Sequence, residues 1–402
     1  MSSPLSRALL VAAPFLALML VTKLPSLRFE HREPDEVIYW TVAKHLGEHG
    51  RYTLRGAPFL SKLSRRMYDK PLFHHPPLYP ALLAPFATRE LRREAIAISV
   101  LGHALVIFAV ALIGVHLHAR AESDEPPLRA LWIPLLGVTL DPVFVHVARK
   151  LWIDALVGGL ATLAVALAIV GAPRERRRVW LAASGIALGL AALAKLPGLL
   201  AAGPIALAVL LRSAPLRARL GDLACAAAPA TLLLAPWLLT FFATYGTFMP
   251  SWVQADAETM RRFPMIAAAA TKPWHFYLAK LAVCAPVFVV GAAAFAWKRA
   301  SAPRSAESWA LLAWLALGIA VFTLLGVRGH SYQLRYLAPL SAALYALPLA
   351  LPLWYRAGDR RSLRVAAAVA IAWAAAGAAP YLVNGRPDEF VGLAEKLRWL
   401  TL

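Results

Sequence analysis

The chain has 402 residues, of which 60% are hydrophobic and 16% charged; the apolar share lies well above the roughly 45–50% of soluble domains. A formal net charge of +20, from 42 Lys+Arg against 22 Asp+Glu, would point to nucleic acid in a soluble protein. Here the basic residues sit in short clusters between apolar runs, the pattern that sets membrane topology, so composition argues against a soluble domain and a nucleic-acid partner and predicts an integral, multi-pass membrane protein. The charge then serves orientation and attraction to membrane lipids or phosphates. Cys225 and Cys284 both fall in apolar runs and are expected to be small buried hydrophobes, not a disulfide or a metal cluster.

The run at 5–22 has about the length that crosses a bilayer. Pro14 in its middle, and Lys23-Leu24-Pro25 after it in place of a small-residue cleavage site, predict an uncleaved first transmembrane helix with a cytoplasmic N-terminus. From 23 to 94 the chain carries both charge signs, aromatics and prolines, and no run long enough to span, so it is expected to be one large extracytoplasmic loop lying on the membrane. Within it, 35–48 suits a short amphipathic helix with Ile38, Val42 and Leu46 on one stripe. The 78–86 stretch is too short to span and reads as re-entrant or interfacial.

Further apolar runs follow at 95–115, 130–147, 154–170, 179–194, 197–211, 223–243, 277–297, 309–327, 336–354 and 365–380, which with the first helix predict about eleven transmembrane helices. The remaining spans thus occupy 95–380 of a single domain covering 1–402, with 381–402 as an extracytoplasmic tail. In this topology the arginine clusters at 174–178, 212–219 and 356–364, and Lys298-Arg299 with Arg304, all fall on one face, which positive charge marks as cytoplasmic. The opposite face receives the first loop, the 149–154 segment, the Lys195 turn, 245–275 and 328–335.

Polar groups able to do chemistry therefore gather on the extracytoplasmic side. Asp35 and Glu36 follow Pro34, which suits the first turn of a helix, where the dipole favours carboxylates. Such a carboxylate caps the helix or serves as a general base on an acceptor hydroxyl or amine. Asp154 begins an apolar run on the same face, either as a functional ionisable group at a span's edge or as a cap paired with Arg149 or Lys150. Lys195 is a single cation in the turn of an apolar hairpin, where topology disfavours positive charge; a phosphate partner would explain it, as would snorkelling to head groups. Arg328, His330, Tyr332, Arg335 and Tyr336 form a basic and aromatic patch, an anion site or an interfacial belt. His74 and His75 suggest a metal, but adjacent histidines diverge along an extended chain. The expectation is no metal and no cofactor, with a divalent metal as the open alternative.

Several ordered motifs resemble glycosyltransferase family 39, which holds the protein O-mannosyltransferases and the lipid A aminoarabinose transferases. They are Pro34-Asp35-Glu36 with Tyr39 and Ala43, Asp69-Lys70-Pro71, Pro76-Pro77-Leu78-Tyr79, the 149–154 segment, the Lys195 hairpin, Pro236-Trp237 with Tyr245-Gly246, and Arg335-Tyr336-Leu337-Ala338-Pro339. The resemblance implies an all-α polytopic GT-C fold. It also implies a transferase that takes a sugar from a polyprenyl-phosphate carrier and gives it, with inversion, to a lipid, glycan or protein acceptor at the extracytoplasmic face of a bacterial inner membrane. On that basis Asp35 is the base with Glu36 in support, and Asp154 is the acidic residue of the second loop. Lys195 on the same basis meets the carrier phosphate; Arg335 and Arg149 are further expected phosphate contacts, and Tyr39, His74, His75, Tyr332 and Tyr336 are expected to bind substrate. The family's Lys-Pro-Pro-Leu run is split here, Lys70-Pro71 standing apart from Pro76-Pro77-Leu78, which puts a role for Lys70 in question. The competing classes are a lipid or sugar transporter and a non-catalytic membrane assembly protein.

Overall fold

The computed structural model describes residues 3–24, 34–55, 71–73, 75–121, 127–248, 272–284, 305–327, 334–350 and 372. Every regular element among them is helical. Helix α1 (Pro4–Lys23) starts at Ser3, whose hydroxyl accepts from the Ser6 N–H at 3.1 Å. Helices α2 (Pro34–His49) and α3 (Leu78–Ala87) pack on each other and are the helices of the described part of the first loop. Then come α4 (Ile96–Arg120), α5 (Pro127–Thr139), α6 (Pro142–Val147), α7 (Ile153–Gly171) and α8 (Arg177–Ala194). A 3₁₀ turn, Leu196–Ala201, leads into α9 (Ala202–Leu210). Helix α10 (Leu216–Tyr245) ends at Gly246, whose φ of 67° is the left-handed cap that glycine adopts freely. Helices α11 (Phe276–Cys284) and α12 (Ala306–Val327) follow, then the 3₁₀ turn Leu334–Leu337, α13 (Ala338–Ala346) and a last 3₁₀ turn, Leu347–Ala350.

Among the described residues, α1, α4, α7, α8, α10 and α12 are long and apolar enough to cross a bilayer, and the chain is a polytopic membrane protein. Two of the expected spans are not single helices. The 130–147 run breaks at Leu140-Asp141, because Asp141 leaves the helical path to cap α6, its carboxylate accepting the Phe144 N–H at 3.0 Å, and Pro142 then opens the new helix. The 197–211 run begins as a 3₁₀ turn, with Pro197 in its first turn, and only nine residues of it are α-helical. The 277–297 and 336–354 runs are described in part. The 381–402 tail and, apart from residue 372, the 365–380 run lie outside the described residues.

Helix α7 is the centre of the bundle, packed against α4, α8 and α13. Its crossing with α4 is made by small residues: a Cβ on Gly102 would come within 2.4 Å of the Ala155 backbone, and one on Gly159 within 2.3 Å of the Gly102 carbonyl oxygen. Backbone-to-backbone approach of this kind is how membrane helices pack when lipid is as apolar as their side chains. It fixes the first turn of α7, and hence Asp154, against α4.

Charged pairs collect at the two ends of the bundle. At one, Glu307 in the first turn of α12 pairs with Arg120 at the end of α4. The buried Asp222 of α10 takes Arg177 at 2.9 Å and Arg212 at 2.6 Å. Asp35, Asp154, Lys195 and Arg335 meet at the other.

Candidate active site

Four elements each deliver one ionisable group. Asp35 lies in the first turn of α2 and Asp154 in the first turn of α7. Lys195 is the residue at which α8 leaves helical geometry, in an extended conformation two places before Pro197, a proline that excludes continuation of the helix. Arg335 sits in the 3₁₀ turn ahead of α13.

The groups form a chain of ion pairs. Arg335 donates through Nη2 to Asp35 Oδ2, and its Nε stands 3.8 Å from Asp154 Oδ2. Lys195 Nζ donates to the other Asp154 oxygen, Oδ1, at 2.9 Å. Two carboxylates thus meet two cations, and the set is neutral. The side chains differ in depth: Asp154 is 4% exposed, Arg335 8%, Lys195 13% and Asp35 37%, so Asp35 is the member most open to an incoming molecule. Burial alone would lower the Arg335 guanidinium, but Asp154 and then Asp35 beside it hold it above its ordinary value, firmly cationic.

Aromatic rings interleave with the cations. Tyr336 lies under Lys195 Nζ, 4.7 Å from the ring centre, and 5.6 Å from Arg335 Cζ. Trp152, the extended residue just before α7, lies 4.4 Å from Arg335 Cζ and 4.4 Å from Lys150 Nζ. Tyr39, one turn after Asp35 on α2, is buried beside the same groups. Burial, with the carboxylates of Asp35 and Asp154 adding to it, pushes its hydroxyl well above the usual phenol range, so Tyr39 keeps its proton there.

The remaining residues named from the sequence take other places. Glu36 is fully buried and accepts the Leu151 N–H at 2.8 Å, tying α2 to the segment that leads into Asp154. Arg149 is buried and donates through Nη2 to the Thr22 carbonyl at the end of α1. His75 packs its ring 5.9 Å from that of Tyr39, and its carbonyl accepts from the Tyr52 hydroxyl at 2.9 Å. The loop holding it is pinned from α10, where the Tyr245 hydroxyl donates to the Leu72 carbonyl and accepts from the Leu72 N–H. His74 and Tyr332 lie outside the described residues, as do Lys70, Arg328 and His330. Among the described residues no group of three His, Cys, Asp or Glu could hold a metal ion.

Sequence reasoning offered Lys150 only as a partner for Asp154, whereas it lies over the Trp152 ring; it gave no role to Trp152, nor to the relay in which Tyr79 and Ser99 lie 3.3 Å apart and Ser99 donates to the Trp152 carbonyl at 3.2 Å. A tryptophan two places ahead of the buried acid was the available signal for the first.

This all-helical membrane bundle has the GT-C fold. The solved structures that share it are of ArnT from Cupriavidus metallidurans, one bound to undecaprenyl phosphate and one in the apo state. Both give a TM-score of 0.65 at 18% identity; they cover 94% and 93% of this chain and 66% and 65% of ArnT. The chain therefore spans just under two thirds of the length of the structures it matches. The fold implied by the sequence resemblance is the fold observed. No protein-family model and no curated protein matches the chain.

Proposed function

We propose that the protein is a membrane glycosyltransferase that moves a sugar from a polyprenyl-phosphate carrier to an acceptor at the extracytoplasmic face. The observation that carries this reading is the convergence of Asp35, Arg335, Asp154 and Lys195 from four separate elements in a chain with the ArnT fold, one of whose structures holds undecaprenyl phosphate.

The chemistry asks little beyond these groups. The donor is a phosphodiester with one negative charge, and its departure as a monoester places more charge on the phosphate oxygens. Cations supply the stabilisation that this needs without protonating the leaving group. Lys195 and Arg335 are the cations available, and Asp154, touching both, holds them toward one point. The acceptor hydroxyl or amine attacks the anomeric carbon as the bond from that carbon to the phosphate oxygen breaks, and its proton passes to Asp35, the exposed carboxylate. One such displacement inverts the anomeric centre. Tyr39 and Tyr336 flank the sugar, and His75 supports Tyr39. The acceptor is a lipid, glycan or protein, and the membrane is the bacterial inner membrane.

The test is to incubate the protein in lipid nanodiscs with a panel of undecaprenyl-phosphate sugars and an extract of cell-envelope lipids, glycans and proteins as the acceptor source, and to follow the lipid by mass spectrometry. Release of undecaprenyl phosphate that depends on Lys195 supports the reading. Intact donors across the panel, together with unchanged lipid-linked sugars and envelope glycans in cells lacking the protein, would remove it.

A further inference from the structure

Three cations, Lys150, Arg335 and Lys195, stand in sequence with two aromatic rings between them. Lys150 and Arg335 each lie 4.4 Å from the Trp152 ring centre, and Arg335 and Lys195 lie 5.6 Å and 4.7 Å from that of Tyr336. Bringing like charges together in a buried place is costly, and carboxylates are the usual remedy. Here Asp154 and Asp35 neutralise Arg335 and Lys195, but a carboxylate also competes with an incoming phosphate for the same donors. A ring face attracts a cation through its quadrupole without occupying the N–H groups that would bind the ligand.

We propose that Trp152 is a positioning residue for phosphate recognition: its ring fixes the plane of the Arg335 guanidinium against Asp35 and Asp154 and leaves an Arg335 edge available to the carrier phosphate. This rests on the assignment of Arg335 to that phosphate and goes beyond it. Three further observations place Trp152 in the role. It is the extended residue that caps α7 two positions before Asp154, so ring and acid share one rigid start. Its carbonyl is anchored by Ser99 at 3.2 Å, and its ring meets His146 edge-on with centres 5.1 Å apart. Lys150 is 1% exposed, too enclosed to touch a ligand; it acts from behind, through the ring.

The experiment is a double-mutant cycle on the affinity for undecaprenyl phosphate, read in nanodiscs, with thermal melting recorded for every variant. Trp152→Leu is expected to weaken binding about tenfold, and Trp152→Phe, whose ring is the poorer cation partner, about threefold. In an Arg335→Lys background, where the planar guanidinium is gone, both changes should cost less than about twofold. Additive losses from Trp152 and Arg335 would overturn the proposal, because a merely structural tryptophan would harm both backgrounds alike. If Trp152→Leu does not fold, the Phe cycle carries the same decision. An unchanged affinity in Arg335→Lys alone would instead remove the phosphate assignment on which the proposal stands.

Discussion

Arg335 and Asp35 lie 300 positions apart in the chain and are joined by a direct charge-assisted hydrogen bond. The group expected to receive the acceptor's proton is thus coupled, before any substrate arrives, to a group expected to hold the donor's phosphate. A donor phosphate that engages Arg335 competes with Asp35 for it, so the two halves of the reaction meet at one guanidinium.

Removal of Lys195 should separate binding from stability. Lys195→Ala leaves Asp154 with Arg335 as its remaining described cation, at 3.8 Å, and breaking a buried pair in this way costs about 3–5 kcal/mol. The variant is expected to melt earlier and to bind undecaprenyl phosphate at least about tenfold more weakly, a loss of about 1.4 kcal/mol. Adding Asp154→Asn should recover much of the melting temperature and none of the affinity. Recovery of both would show that Lys195 serves the fold alone.

Glu36 offers the opposite pattern. Its buried carboxylate accepts the Leu151 N–H, and an amide oxygen can do the same. Glu36→Gln should stay within about 1 kcal/mol of the native chain, whereas Glu36→Ala, which orphans the Leu151 N–H, should cost about 1–3 kcal/mol. Thermal or denaturant unfolding in detergent ranks the two. Equal losses would mean that the negative charge, and not the hydrogen bond, is what α2 needs.

The α4–α7 crossing predicts a packing defect. Gly159→Val places carbon where 2.3 Å separates even a Cβ from the Gly102 carbonyl oxygen, and overpacking of this kind costs about 1–3 kcal/mol or more. Because the start of α7 carries Asp154, activity should fall further than stability alone explains. An unaltered melting temperature would contradict the close crossing.

Tyr39 sets a pH dependence. Burial, then Asp35 and Asp154, raises its hydroxyl well above the ordinary value near 10. The folded chain therefore favours the protonated form. That preference supports the fold fully below about pH 10 and is lost as pH rises beyond it. Tyr39→Phe should flatten the alkaline loss of stability above about pH 10. The same slope in both proteins would show that Tyr39 does not titrate against folding.

Much of this was legible in the sequence because the membrane writes simply. Apolar length marked α1, α4, α7, α8, α10 and α12, and charge asymmetry put Asp35, Asp154, Lys195 and Arg335 on one face before any geometry was known. Two broken runs were misread, since hydropathy does not register that Asp141 caps a helix or that Pro197 tightens a turn. The pairing of Arg335 with Asp35 was out of reach, because it depends on how the 3₁₀ turn Leu334–Leu337 and the start of α2 meet in space. Trp152 was passed over for a related reason: an aromatic beside an apolar run is ordinary until a cation is found over its ring.

The central claim is that Asp35 takes the acceptor's proton, and Asp35→Asn tests it most directly. Asparagine keeps the shape and an oxygen toward Arg335 but accepts no proton. In nanodiscs, the variant should bind undecaprenyl phosphate within about threefold of the native protein while turnover of an undecaprenyl-phosphate sugar falls at least about a hundredfold, the scale of a lost general base. Turnover retained within a few-fold of native would contradict the account.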